Sequence, residues 1–304
     1  MNNPQSPYRN ATIAVVIPCY RVCAHILSVL DRIGPEVTAI YIIDDACPDG
    51  SGRFVQNQIQ DPRLKIIYNQ VNLGVGGATL VGMKQATVDG ADVIVKIDGD
   101  GQMDPSFIPA FTGVILSGEA DYTKGNRFFE LEGLSSMPLV RLVGNAGLSF
   151  LAKFSTGYWN LFDPANGFIA IHASLIDLLP IEKISKRYFF ESDLLFRLNI
   201  ISARVVDVPM YSYYADEKSH LKPHREIFRF ALAHLRNFGK RILYNYFIRN
   251  FSIASVQLFL GIILFLFGVS YGVANWGVDE PATAGTVMTR HCRSSWVRSS
   301  FSRS

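Results

Sequence analysis

Along the first 120 or so residues, short apolar runs alternate with stretches in which apolar residues recur every three or four positions. Residues 13–18, 37–43, 64–68 and 93–97 are near-continuous runs of the first kind, the mark of strands buried on both faces. Residues 22–33 (Ile26, Leu27, Val29, Leu30, Ile33), 77–91 and 106–117 carry helical spacing, and Gly34-Pro35 closes the first. Strands alternating with helices at these intervals predict an α/β fold built on a doubly wound, mostly parallel sheet. The second half is less regular. It predicts a helix with an adjoining loop over 133–155, strands at 167–171 and 203–208, the latter stopped by Pro209, and a helix over 191–200. No repeat or linker interrupts residues 1–223, which are expected to form one domain.

The pattern then changes twice. Over 224–250, Phe228, Ala231, Leu232, Leu235, Phe238, Ile242, Tyr246 and Phe247 recur at helical spacing. Arg225, Arg229, Arg236, Lys240, Arg241 and Arg249 fill the positions between. A basic amphipathic helix of this kind suits an anionic lipid surface. Residues 251–276 hold no charged side chain and are long enough to cross a hydrocarbon core of roughly 30 Å. The basic residues before that span predict a cytoplasmic catalytic part and a single pass through the lipid bilayer. Residues 277–304 are polar and expected to be disordered. Arg290, Arg293, Arg298 and Arg303 would lie on the far side, against the positive-inside tendency, and a two-span form truncated at this end would account for them.

Composition narrows the class further. The chain of 304 residues is 49% hydrophobic, oily for a freely soluble enzyme, and its net charge of +3 is too small to imply nucleic-acid binding. Cys19, Cys23, Cys47 and Cys292 show no zinc spacing and are expected to be reduced thiols. The first ten residues lack an apolar core, so no signal peptide is expected.

The candidate chemistry lies where strands end. After 93–97 comes D-G-D-G-Q, which puts Asp98, Asp100 and Gln102 at a strand's carboxyl edge, the edge where open α/β sheets bind ligands. Hard oxygen donors suit Mg²⁺ or Mn²⁺, which in turn hold substrate phosphates. The first strand ends in Pro18, Cys19 and Tyr20, on which a flat base could rest. The second ends in Asp44 and Asp45, able to accept from a base or ribose. Asn72, Gly74, Gly76 and Gly77 lead into a helix whose N-terminus can face phosphate. A nicotinamide fingerprint would place such glycines after the first strand, and no G-K-[ST] occurs.

The ordered set V-V-I-P-C-Y, I-D-D-A-C-P-D-G-S-G, N-L-G-V-G-G-A, D-G-D-G-Q, K-G-N-R-F, D-P-A-N-G-F, F-F-E-S-D-L-L-F-R-L and D-V-P-M resembles the family 2 GT-A glycosyltransferases, especially the polyprenyl-phosphate sugar transferases. The resemblance covers roughly residues 11–221. It implies a metal-dependent, inverting transfer from a nucleoside diphosphate sugar to polyprenyl phosphate. It implies that Asp44 and Asp45 hold the donor's base and ribose, and that Asp98, Asp100 and Gln102 hold the metal and diphosphate. Arg127, after Gly125-Asn126, would grip an acceptor phosphate, and Asp163 and Asn166 would shape the sugar pocket with Asn126. Asp193, with Glu191 beside it, matches the acid that the wider family places near the acceptor. That acid is a general base for a hydroxyl and an orienting group for a phosphate. One departure stands out: after D-V-P-M these enzymes usually carry an arginine and then Ser-Lys, whereas this chain reads Y-S-Y-Y-A-D-E-K-S-H-L. Lys218 or His220 would have to substitute, so a glycan or other hydroxyl acceptor stays open. A non-catalytic nucleotide-sugar-binding protein also stays open, as does a homo-oligomer.

Overall fold

The computed structural model describes residues 11–127, 139–164, 166–210 and 223–274. The loop expected before residue 139, Lys218, His220 and the tail from 277 lie outside the described residues. The chain divides into two compact units, Met1–Arg241 and Ile242–Ser304.

In the first unit the apolar runs become β1 (Ile13–Cys19), β2 (Ala39–Asp44), β3 (Leu64–Tyr68) and β4 (Val93–Lys96). They are joined by β5 (Tyr122–Asn126), β6 (Ile169–His172) and β7 (Val205–Pro209) in one seven-stranded sheet of order β3-β2-β1-β4-β6-β5-β7. Four of the pairings are parallel, and β6 runs antiparallel to both of its neighbours. Helices cover both faces, as a doubly wound sheet requires. One face packs α1 (Ile26–Asp31), α2 (Ser51–Gln58) and α4 (Ile108–Leu116) onto Val15, Ile17, Ile42, Val95 and Ala170. The other packs α3 (Val75–Val88), α6 (Ser174–Leu178) and α7 (Phe190–Ile200) onto Val16, Ile43, Ile94 and Ile169.

Helix α5 (Leu139–Thr156) and helix α8 (Pro223–Leu243) flank α7. Within the first unit α8 divides its apolar residues between two sides, which a single stripe does not anticipate. Phe230 stacks on Phe189 and Phe238 lies against Phe154, while the polar His234 and Asn237 are buried beside them. Phe228, Leu232 and Leu235 point outward, among exposed Arg229, Arg236 and Lys240.

The second unit holds a π-helical turn (Tyr244–Arg249) and α9 (Ile253–Ala274). Within α9, Ile253–Val273 has a mean hydropathy of 2.3 and is long and apolar enough to cross a membrane.

Candidate active site

Three strand ends meet at one edge of the sheet. Strand β1 stands between β2 and β4, with Pro18 level with Ile43 and Val16 level with Lys96. The turns leaving β1 and β2 carry two residues in the left-handed region, Arg21 (φ 59°) and Ala46 (φ 52°). Strain of this kind persists where surrounding contacts over-determine the backbone, as at ligand sites. Tyr20 is exposed there, with the Arg21 guanidinium 5.6 Å from its ring centroid.

The acids of this edge differ in what holds them. Asp44 is buried and accepts from the amides of Cys47 (2.8 Å) and Gly52 (2.7 Å), fastening the loop into α2. Asp45, also buried, accepts from Asn69 Nδ2 (2.8 Å), Leu73 N (2.9 Å) and Gly74 N (2.8 Å), fastening the glycine stretch to β2. The glycines themselves make room for protein. A Cβ at Gly76 would lie 2.6 Å from Phe190 Cβ, and one at Gly74 (φ 83°) would lie 2.7 Å from the Lys186 carbonyl. The Gly77 amide donates to that same carbonyl at 2.9 Å. Asn72 is exposed on the same loop.

Asp98 and Asp100 are half-buried on either side of buried Gly99, and the Gln102 backbone N–H donates to Asp100 Oδ1 at 3.0 Å. Among the described residues no three His, Cys, Asp or Glu side chains gather around one point. Two accessible carboxylates and an amide fit a hard divalent cation that completes its oxygen shell from a bound diphosphate. Asp98, Asp100 and Gln102 are the residues that would hold it.

Beneath this turn lies a buried charged row that the sequence reading passed over. Lys96 on β4 and Lys124 on β5 are both register partners of Ile169 on β6, and Lys124 is level with Asp207 on β7. Residues in one register row share a face, so both lysines point to the α7 side. Lys96 is 1% exposed, with Nζ 2.7 Å from Asp98 Oδ1 and 3.8 Å from Glu191 Oε1. Burial pulls the Lys96 ammonium down, but Asp98 and Glu191 more than reverse this and hold its pKa above the ordinary value. Lys124 donates to the Asn166 carbonyl. Burial brings its pKa down to about 8, against the opposing pull of Glu191 and Asp163. Burial raises the Glu191 pKa, opposed by Lys96 and Lys124. The signal available in the sequence was a lysine inside each of two apolar strands, V-I-V-K-I and D-Y-T-K-G.

The remaining candidates separate into two groups. Arg127 makes a forked pair with buried Asp163, Nε to Oδ2 at 2.6 Å and Nη2 to Oδ1 at 3.1 Å. Asn126 Nδ2 donates to Asp207 Oδ2 at 3.2 Å, and buried Asn166 receives the Phe168 amide on Oδ1 at 2.9 Å. These lie around the β5 and β6 ends, on the Lys124 side of the site. Asp193 lies elsewhere. Two positions along a helix turn the side chain by about 200°, so Glu191 faces the lysine row while Asp193 faces the seam with α8. There Asp193 accepts from Asn237 Nδ2 (2.9 Å), Ser185 N (2.9 Å) and both Nε and Nη2 of Arg197 (3.2 Å each).

Comparison with known proteins fits this geometry. A profile described as "Glycosyl transferase family 2" matches residues 14–179. The chain is 28% identical over 218 residues to the UDP-N-acetylglucosamine–dolichyl-phosphate N-acetylglucosaminyltransferase of Methanococcus voltae, covering 67% of this chain and 86% of that protein. It is 27% identical over 202 residues to the undecaprenyl-phosphate mannosyltransferase of Micrococcus luteus, covering 65% and 82%. Among solved structures, glucosyl-3-phosphoglycerate synthase from Mycobacterium tuberculosis in complex with Mn²⁺, UDP and glucosyl-3-phosphoglycerate superposes with a TM-score of 0.57 at 18% identity, over 77% of this chain and 81% of that one, a likeness of fold. With its motifs in order along a mixed sheet and its acids at the β4 turn, the chain belongs to glycosyl transferase family 2.

Proposed function

We propose that this glycosyltransferase moves a sugar from a nucleoside diphosphate sugar to a polyprenyl phosphate at the cytoplasmic face of a membrane, with inversion at the sugar carbon. The observation that carries the reading is the fate of the two acids on α7. Asp193, the acid expected near the acceptor, has both oxygens occupied in the α7–α8 seam, and Glu191 lies against a buried lysine. An acceptor that is already an anion needs no base, and the relatives named above act on dolichyl and undecaprenyl phosphates.

In this reading the acceptor phosphate oxygen attacks the anomeric carbon as the bond to the diphosphate breaks, one displacement that inverts configuration. Asp45 orders the loop beside the base-binding edge, Asp44 orders the turn into α2 at the same edge, and β1 ends there in Pro18 and the exposed Tyr20. Asp98, Asp100 and Gln102 would hold Mg²⁺ or Mn²⁺, which when bound offsets the charge building on the departing diphosphate. Arg127, aimed by Asp163, presents its guanidinium to the acceptor phosphate, a fork that suits phosphate geometry. Helix α9 as a single span, with α8 on the lipid surface, confines the search for a lipid acceptor to the interface.

The test is transfer of label from UDP- and GDP-sugars into vesicles holding polyprenyl phosphate, with Mn²⁺ present. Label should enter the lipid phase with one donor, and an Asp100→Ala variant should lose about a hundredfold or more in rate. Label that stays aqueous with every donor, or that passes to an added sugar instead, would overturn the acceptor assignment.

A further inference from the structure

The β4 turn does not hold its own carboxylate in place. Asp98 is half-buried, beside a second acid two residues on, with Glu191 on the same side of the sheet. Neighbouring carboxylates repel one another, and a cation beside Asp98 offsets that repulsion. The counter-charge comes from within the sheet. Lys96 reaches the turn from below, enclosed by protein at 1% exposure and bonded to Asp98 Oδ1 at 2.7 Å. A buried charge-assisted hydrogen bond is stronger and more directional than an exposed one. The enclosing wall is equally specific. A Cβ on Gly167 would lie 2.6 Å from Lys96 Nζ and 2.7 Å from Asp98 Oδ2, so only glycine at this point lets the pair close.

We propose that Lys96 is a positioning residue for nucleotide binding, fixing the Asp98 carboxylate in the orientation that receives a divalent cation with its diphosphate. Glu191 serves Lys96 as its second anion, and Gly167 is the gap in which the pair forms. The proposal rests on the reading of Asp98 as a ligand of the donor's cation. It assigns the D-P-A-N-G-F stretch a role in shaping the β4 turn in addition to lining a pocket.

The experiment is calorimetric titration of the full-length protein with UDP, and in parallel with GDP, in the presence of Mn²⁺, alongside thermal unfolding of each variant. Lys96→Met is expected to weaken nucleotide binding about ten- to a hundredfold, the loss expected for a buried charge-assisted bond. Adding Glu191→Gln to it relieves the repulsion that Lys96 had balanced, so the Tm should recover while binding stays weak. A purely structural lysine predicts the opposite, recovery of both together, and that result would overturn the proposal. So would Lys96→Met binding within twofold of the parent. Gly167→Ala covers the case in which Lys96→Met does not fold. It keeps both charges and displaces only flexible side-chain ends, so weakened binding in a folded protein supports the proposal and unchanged binding counts against it. Asp98→Ala separates the two levels. If it binds Mn²⁺ and nucleotide as the parent does, the reading of Asp98 fails and the role of Lys96 falls with it. If Asp98→Ala loses binding and Lys96→Met does not, only the inference about Lys96 fails.

Discussion

The β4 turn and the α7–α8 seam each set an acid against a buried cation, and they do so with opposite results. At the seam Asp193 is nearly enclosed, and its bonds to Arg197, Asn237 and Ser185 join two helices and the segment before α7. At the turn Asp98 keeps one side toward solvent and takes a single cation from below. Both acids are paired, so pairing alone does not distinguish the open carboxylate from the enclosed one. What separates them is whether the protein's own donors occupy both oxygens and whether any side of the group remains open.

The sharpest way to break the comparison is Asp193→Ala. It removes the counter-charge of the Arg197 guanidinium, which is 10% exposed and keeps the Lys183 carbonyl as an acceptor, and leaves the Ser185 amide and Asn237 without theirs. Removing one partner of a buried pair costs about 3–5 kcal/mol, to be read by urea denaturation. Nucleotide affinity of the folded fraction should be unchanged; a variant that stays stable but no longer binds UDP with Mn²⁺ would move Asp193 into the site.

A smaller effect comes from pH at the same seam. Burial holds the His234 imidazole down to about 4, and its Nδ1 lies 2.7 Å from Ser155 Oγ. The unfolded chain takes up a proton near pH 6.5 that the folded chain refuses, so this contribution is complete above that pH and is lost as pH falls toward 4. About 2 kcal/mol should disappear between pH 7 and pH 5. His234→Gln should flatten that slope in denaturation curves, and equal slopes in the two proteins would remove His234 from the seam's electrostatics.

The smallest effect belongs to the outer side of α8. Phe228, Leu232 and Leu235 are 72%, 58% and 65% exposed, so changing all three to serine should move stability by no more than about 0.5 kcal/mol. Co-sedimentation with anionic vesicles should fall for the same protein. A large stability loss would mean that this side is covered after all.

Much of the sheet was legible because its strands are continuous apolar runs and its turns carry glycine and acid together. The four strands β1 to β4, helices α3 and α4 and the β4 acids follow from that pattern. The shortness of α1, against the expected span of 22–33, reflects turn geometry at its start, where His25 and Ile26 both donate to the Val22 carbonyl. Helix α2 escaped notice because its sequence, S-G-R-F-V-Q-N-Q, has too few apolar residues for a period. The site was half legible. Asp98 and Asp100 announce themselves beside glycine, whereas Lys96 and Lys124 are hidden by the rule that strands buried on both faces are apolar. That Glu191 and Asp193 face opposite ways follows from their two-residue spacing, but which of them meets the lysine row depends on Lys96 of a distant strand and on Asn237, a residue of another helix. No local spacing carries that information.

The bare glycines before α3 tie that stretch to a distant one. Gly74, Gly76 and Gly77 are moulded against Lys186 and Phe190, so the two segments form a mating surface although they are far apart in the chain. Swapping either stretch alone with a relative would therefore yield a chimera whose halves do not seat, even if each is sound in its own parent. Exchanges in this enzyme should move residues 72–77 and 185–190 together.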